Sequence, residues 1–176
     1  MCLAGPVYPV LGQPHPGHDY DRSIRLIMEM LGSVPSGHVA VYQTNDRSAA
    51  QLGELSVTSL AARGCAGAVL DGGVRDAEYI LREDFPVFSR YVTPQDCVPR
   101  WELLAHGDVT ISVGGVRIAP GDWIAGDADG LVIVPGDHVE AILAEAEEKV
   151  GTESEIRDSV RGGMLPLAAY EQYGTF

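Results

Sequence analysis

Thiols are scarce in this 176-residue chain: Cys2, Cys65 and Cys97 are its three cysteines, and they share no ligand spacing. An odd, scattered set argues against a disulfide framework, and a reducing cytoplasm is the compartment it implies. Cations are scarce too, with 12 Lys and Arg against 25 Asp and Glu, for a formal net charge of −13. Such a chain repels phosphate, so no nucleic-acid partner is expected, although one local arginine can still govern a site for a small anion. Long apolar runs are missing. The opening MCLAGPVYPV has no basic stretch and is interrupted by Pro6 and Pro9, so neither a secretory leader nor a membrane partner is expected.

What is present is ordinary globular material, 45% hydrophobic and 21% charged, long enough for one domain with a sizeable core. No linker, repeat or low-complexity tract interrupts it, so residues 1–176 read as a single domain. Leu3 to Val10 reads as a short strand, and Asp21 as the N-cap of a helix with Ile24, Ile27, Met28 and Leu31 on its apolar face. His38 to Gln43 and Phe85 to Val92 are strand-like, and Thr93 to His106 reads as irregular because of Pro94 and Pro99. Gly114-Gly115 marks a hairpin, Trp123 to Ala125 and Leu131 to Val134 pair around Asp127 to Gly130, and helical patterns cover 137–150 and about 153–161. Helices interspersed with short strands predict an α/β domain of mixed sheet type.

The stretch Gln51 to Asp76 organises the rest. Its helix opens at Gly53-Glu54-Leu55, buries Val57, Leu60 and Ala61, and closes at Gly64, a residue suited to the left-handed cap. Ala66 to Leu70 reads as a buried strand entering a tight turn at Asp71-Gly72-Gly73, which delivers Val74, Arg75 and Asp76. Helix start and Arg-Asp pair then lie at one end. Backbone N–H groups from Gly53, Glu54, Leu55 and Ser56 suit a carboxylate, Arg75 suits the same anion, and Asp76 is a hard oxygen ligand for Mg²⁺ or Mn²⁺. The same residues also fit a local ion pair, with Glu54 merely complementing a helix N-terminus.

Glu54, twenty residues and then Arg75-Asp76, with the blocks RGCAGAVLDGGVRD, FPVFSRYVTP and GGVRIAPGDWIAGDADGLVIVP, resemble the RraA-like family from about Leu3 to Gly163. That family includes 4-hydroxy-4-methyl-2-oxoglutarate aldolases, oxaloacetate decarboxylases and regulators that bind ribonuclease E. The resemblance implies a layered β/β/α swivelling-type domain, a homotrimer or homohexamer, and a small 2-oxo acid substrate. It implies Arg75 and Glu54 as catalytic residues, Gly53 to Ser56 with Arg75 as the substrate cradle, and Asp76 as the ligand of a divalent cation, Mg²⁺ or Mn²⁺. The position of Glu54 is more often Asp in the aldolases. Family members usually carry several dozen further residues ahead of the segment matching Leu3 to Val10, so a missing N-terminal segment is expected. A metal-dependent lyase is the reading that follows, with a non-enzymatic regulator as the alternative.

Other polar groups have plainer readings. Asp71 caps its glycine turn; His15, His18 and Asp19 form a solvated loop; Asp127 and Asp129 belong to a hairpin turn. Trp101 and Trp123 are packing residues or subunit contacts. Glu153 pairs with Arg157 along a helix, in an element that the resemblance brings near a neighbouring site.

Overall fold

A computed structural model describes residues 2–15, 17 and 19–176, so His18 of the PHPGHD loop lies outside the described residues. The chain divides into two compact units, Met1–Gly136 and Asp137–Phe176, a boundary the sequence patterns do not mark.

The first unit is built on strand β1 (Leu3–Pro14), longer than its prolines suggest. It pairs with antiparallel β9 (Trp123–Asp127) along Leu3 to Pro6, then with antiparallel β6 (Trp101–His106) from Val10 onward. The prolines are tolerated around this change of partner, where the ladder is interrupted anyway. Along its other side β1 runs parallel to β2 (Val39–Gln43), followed by β4 (Gly67–Val74), which pairs in parallel with both β3 (Ala50–Leu52) and β5 (Val87–Val92). Strand β10 (Gly130–Val134) completes an eight-stranded mixed sheet against β9, as its hairpin pattern predicts.

Both faces of this sheet are covered, which is why its parallel strands are apolar at successive positions rather than alternating. Ala68 and Leu70 of β4 face one core with Ala40 and Tyr42. That core is closed by α1 (Tyr20–Ser33) and α2 (Glu54–Ala62) through Ile27, Met30, Leu31, Val57 and Leu60. Val69 faces the other way, with Val39 and Val41, onto the hairpin of β7 (Ile111–Val113) and β8 (Val116–Ile118). The result is an α/β fold layered hairpin, sheet, helices, in agreement with the β/β/α expectation. Gly114 and Gly115, at φ 60° and 83°, make the hairpin's turn.

Several local expectations change. The N-cap of α1 is Asp19, whose carboxylate accepts from Arg22 N at 3.0 Å; Asp21 sits in the first turn instead. Met30 is buried on this helix, while Met28 is 50% exposed. Asp71-Gly72-Gly73 is no turn: β4 continues to Val74, and Asp71 forms an ion pair with Arg90 of β5. The glycines admit neighbours instead. A Cβ on Gly73 would lie 2.3 Å from the Tyr91 ring, and one on Gly72 2.6 Å from Thr44 and Gln51. Strands β3 and β6 arise from stretches whose polar and proline residues hide them.

The second unit holds α4 (Val139–Arg161) and α5 (Pro166–Tyr173), joined by a 2.8 Å hydrogen bond between the Ser159 and Tyr173 hydroxyls. Helix α4 is continuous through Gly151, because a single glycine costs only about 1 kcal/mol in a helix. Its ion pairs join Glu145 to Lys149 and Asp158 to Arg161, rather than Glu153 to Arg157.

The loop between β2 and β3 is tied down by a buried polar network. Asp46 accepts from Ser48 N (3.0 Å), Ser48 Oγ (2.9 Å), Ala49 N (3.1 Å) and Gln51 Nε2 (2.9 Å). Gln51 Oε1 in turn accepts from Gly73 N at 3.2 Å, and Trp101 Nε1 donates to Thr44 O at 2.8 Å. Asp46→Ala strands these donors in the interior and is expected to destabilise the fold by about 3 kcal/mol in urea unfolding. A loss below about 1 kcal/mol would show that the network does not hold this loop.

Candidate active site

Strands β3, β4 and β5 run parallel, so their carboxyl ends and the residues that follow converge on one edge, where open α/β sheets place ligand sites. Gly53 and Glu54 leave β3 there, Arg75 and Asp76 leave β4, and Asp96 follows β5. Arg75 N donates to Leu52 O at 3.0 Å and Thr93 N to Val74 O at 2.9 Å, stitching the three exits together. Ala50 N donates to Gln95 O at 2.8 Å, which sets Asp96 in place.

The predicted Glu54–Arg75–Asp76 set is brought together. Asp76 adopts a left-handed backbone conformation, φ 58° and ψ 35°, uncommon outside glycine and tolerated best by Asp and Asn. This turn precedes the short helix α3 (Ala77–Ile80) and aims the carboxylate at the start of α2, where Asp76 Oδ2 accepts from Glu54 N at 3.1 Å. A negative group at a helix N-terminus is favourable there. Gly53, the N-cap, offers no side chain, and this makes room: a Cβ on it would lie 2.7 Å from Asp76 Oδ2 and 2.9 Å from Arg75 Nε. One of the expected carboxylate-binding N–H groups is therefore already engaged by Asp76. Leu55 and Ser56 remain in the first turn, where N–H groups have no carbonyl partner within the helix.

Arg75 bridges two acids. Its Nη1 donates to Asp96 Oδ2 at 2.7 Å and its Nε lies 3.6 Å from Asp76 Oδ2. The guanidinium has five N–H donors, so these contacts leave donors for an anionic ligand. Side-chain exposures of 39% for Arg75, 41% for Asp76 and 42% for Asp96 keep the trio in reach of solvent. Asp96 is the residue that sequence reasoning missed. It lies 21 positions after Arg75, and long-range pairing, of β4 with β5 and of Ala50 with Asp96, brings it there. Its other oxygen accepts from Val98 N at 3.0 Å, which fixes the carboxylate.

Donor chemistry at Asp76 suits a hard divalent cation. Oδ1 has no hydrogen-bond partner among the described residues, while Oδ2 is held by Glu54 N and Arg75. Among the described residues no cluster of three His, Cys, Asp or Glu side chains forms a metal cage. One carboxylate supplemented by water and substrate is a usual arrangement for Mg²⁺. The Glu54 carboxylate has no hydrogen-bond or ion-pair partner among the described residues. Asp71 is used by Arg90 and Asp19 by its helix, and Glu153 belongs to the second unit.

A cavity of about 250 Å³ opens beside this constellation, with Gly53, Ser56, Arg75 and Asp96 among its lining. Glu54 and Asp76 do not line it. Buried Cys97 does, and burial together with the Asp96 carboxylate pushes its thiol up to about 12, so it stays protonated.

The chain is similar to several known proteins. A Halalkalibacterium halodurans protein named as a candidate 4-hydroxy-4-methyl-2-oxoglutarate aldolase is 28% identical over 84% of this chain and 70% of its own. A solved structure from Pseudomonas syringae pv. tomato superposes with a TM-score of 0.82 at 26% identity, over 96% of this chain and 78% of the other. Streptomyces coelicolor RraAS2, described as an unusual member of the RNase ES inhibitor RraA family, gives a TM-score of 0.75 at 28% identity, over 89% and 77%. The family model described as Aldolase/RraA matches residues 1–133, and the chain belongs to this RraA-like family.

Proposed function

We propose that the protein is a divalent-metal-dependent lyase that cleaves a carbon–carbon bond in a 2-oxo acid carrying a pyruvoyl unit, by retro-aldol cleavage or decarboxylation. The observation that carries this reading is Arg75 held between Asp76 and Asp96 at the start of α2. Breaking the bond beyond C3 of such a substrate leaves its electron pair on the pyruvoyl unit as an enolate, which then takes up a proton to become pyruvate. In the aldol case the departing fragment loses its hydroxyl proton and leaves as a carbonyl compound. In decarboxylation it leaves as carbon dioxide.

The remaining donors of Arg75 meet the negative charge that develops on the enolate oxygen, and the first-turn N–H groups of Leu55 and Ser56 orient the substrate carboxylate. Glu54, whose carboxylate has no partner among the described residues, relays a proton through water. A divalent cation held by Asp76 would supply Lewis-acid stabilisation of the same oxyanion. Asp96 keeps the guanidinium in position.

A second reading, a regulator that binds a protein partner, follows from the likeness to the Streptomyces RNase ES inhibitor relative. It gives no task to Arg75, and that difference is testable. Arg75→Lys keeps the charge but not the planar fork, so cleavage across a panel of 4-hydroxy-2-oxo acids should fall by about 10²–10³ with thermal unfolding unchanged. Near-wild-type cleavage in the Lys variant would exclude the role given to Arg75.

Gly53→Ala asks whether placement alone matters. Its backbone, at φ −135° and ψ −174°, accepts alanine, but the new methyl displaces the Asp76 and Arg75 side chains. These are movable ends, so folding survives, while turnover should drop by about 10²-fold. Unchanged turnover would show that the observed Arg75–Asp76 geometry is not what the reaction uses.

A further inference from the structure

The cavity beside Arg75 is largely apolar: besides Arg75 and Asp96, its polar side chains are Gln51, Ser56 and Ser59. Ile24, Ile27, Met28 and Leu31 of α1, Leu55 of α2, and Val98 form its walls. Ile27, Leu31 and Val98 are 7%, 3% and 6% exposed, while Met28 and Leu55 are 50% and 78% exposed, so the pocket has a closed floor and an apolar mouth. Resting on the lyase reading above, we propose that this pocket takes the aliphatic substituent of a monocarboxylic 2-oxo acid and discriminates against substituents bearing a second carboxylate.

Charge decides the preference. Arg75 is the cation of the lining, and Asp96 Oδ2 already lies 2.7 Å from it. The substrate's own carboxylate draws on what Arg75 has left and on the N–H groups of Leu55 and Ser56. A second carboxylate pushed along the pocket would shed water against the α1 side chains and find no further cation in the lining. The Ser56 and Ser59 hydroxyls offset only part of that desolvation, and the Gln51 amide is already engaged by Asp46 and Gly73. Arg100 does not relieve this, because it reaches only the Asp96 carbonyl, at 3.3 Å, and does not line the cavity. Neutral Cys97 adds no charge. An alkyl group in the same place gains by leaving water. At about 250 Å³ the space admits a short branched chain rather than a large ligand.

The test uses a matched pair of ligands, 5-methyl-2-oxohexanoate and 2-oxoglutarate, in which an isopropyl group is exchanged for a carboxylate. Calorimetric titration of the intact chain with Mg²⁺ present should show the alkyl acid binding at least about tenfold more tightly. Met28→Arg sets a cation at the exposed mouth on a helix that tolerates arginine, and should shrink that ratio by about tenfold. Equal or tighter binding of 2-oxoglutarate to the wild type, no binding of either acid, or an unchanged ratio in Met28→Arg would each overturn the assignment. Failure of the lyase reading looks different: the alkyl preference would persist while no 2-oxo acid is cleaved. Conversely, cleavage that favours dicarboxylic substrates would leave the lyase standing and remove the apolar subsite.

Discussion

Parallel pairing of β4 with β3 and β5 is the constraint on which the site depends. Three consecutive exits from one sheet edge deliver an N-cap glycine, an Arg-Asp pair and a further carboxylate into one volume. None of these groups is notable alone. Their chemistry comes from the backbone that fixes them: Arg75 N on Leu52 O, Ala50 N on Gln95 O, and Gln51 clamped between Asp46 and Gly73 N. That clamp is buried, and therefore costly to break, because each freed donor would face apolar surroundings without water.

Electrostatics at the edge are balanced in an uneven way. A protein with a formal net charge of −13 sets one arginine between two acids, with a third, Glu54, at the start of α2. The balance is short of positive charge for the anionic substrate proposed above. A divalent cation on Asp76 would correct this shortfall, whereas an arginine-only site would meet the substrate with its cation largely spoken for. A cation held by Asp76 and an anionic substrate are thus expected to favour each other's binding by charge compensation.

The relation between Glu54, Arg75 and Asp76 is legible in the sequence because it is contained in one helix-strand unit, where spacing translates directly into shared ends. The left-handed cap at Gly64, the Gly114-Gly115 hairpin and the buried faces of α2 are legible for the same reason. Asp96 is not, since it depends on a β4–β5 pairing that no local pattern encodes. The Asp71-Gly72-Gly73 run misleads because glycine serves both turns and close approach, and here Tyr91, Thr44 and Gln51 occupy the missing side-chain space. Strand β6 hides behind Pro94 and Pro99, and α4 passes through a glycine that looks like a break.

The central claim is that this edge stabilises an enolate with the help of a divalent cation. Exchange of the pyruvate methyl protons with solvent deuterium, followed by NMR on the folded wild-type protein, probes that event without the true substrate. The account predicts exchange with Mg²⁺ or Mn²⁺, silence after chelation, and recovery when metal is restored. Exchange that survives exhaustive chelation, or a folded, metal-supplied protein that exchanges nothing, would contradict it.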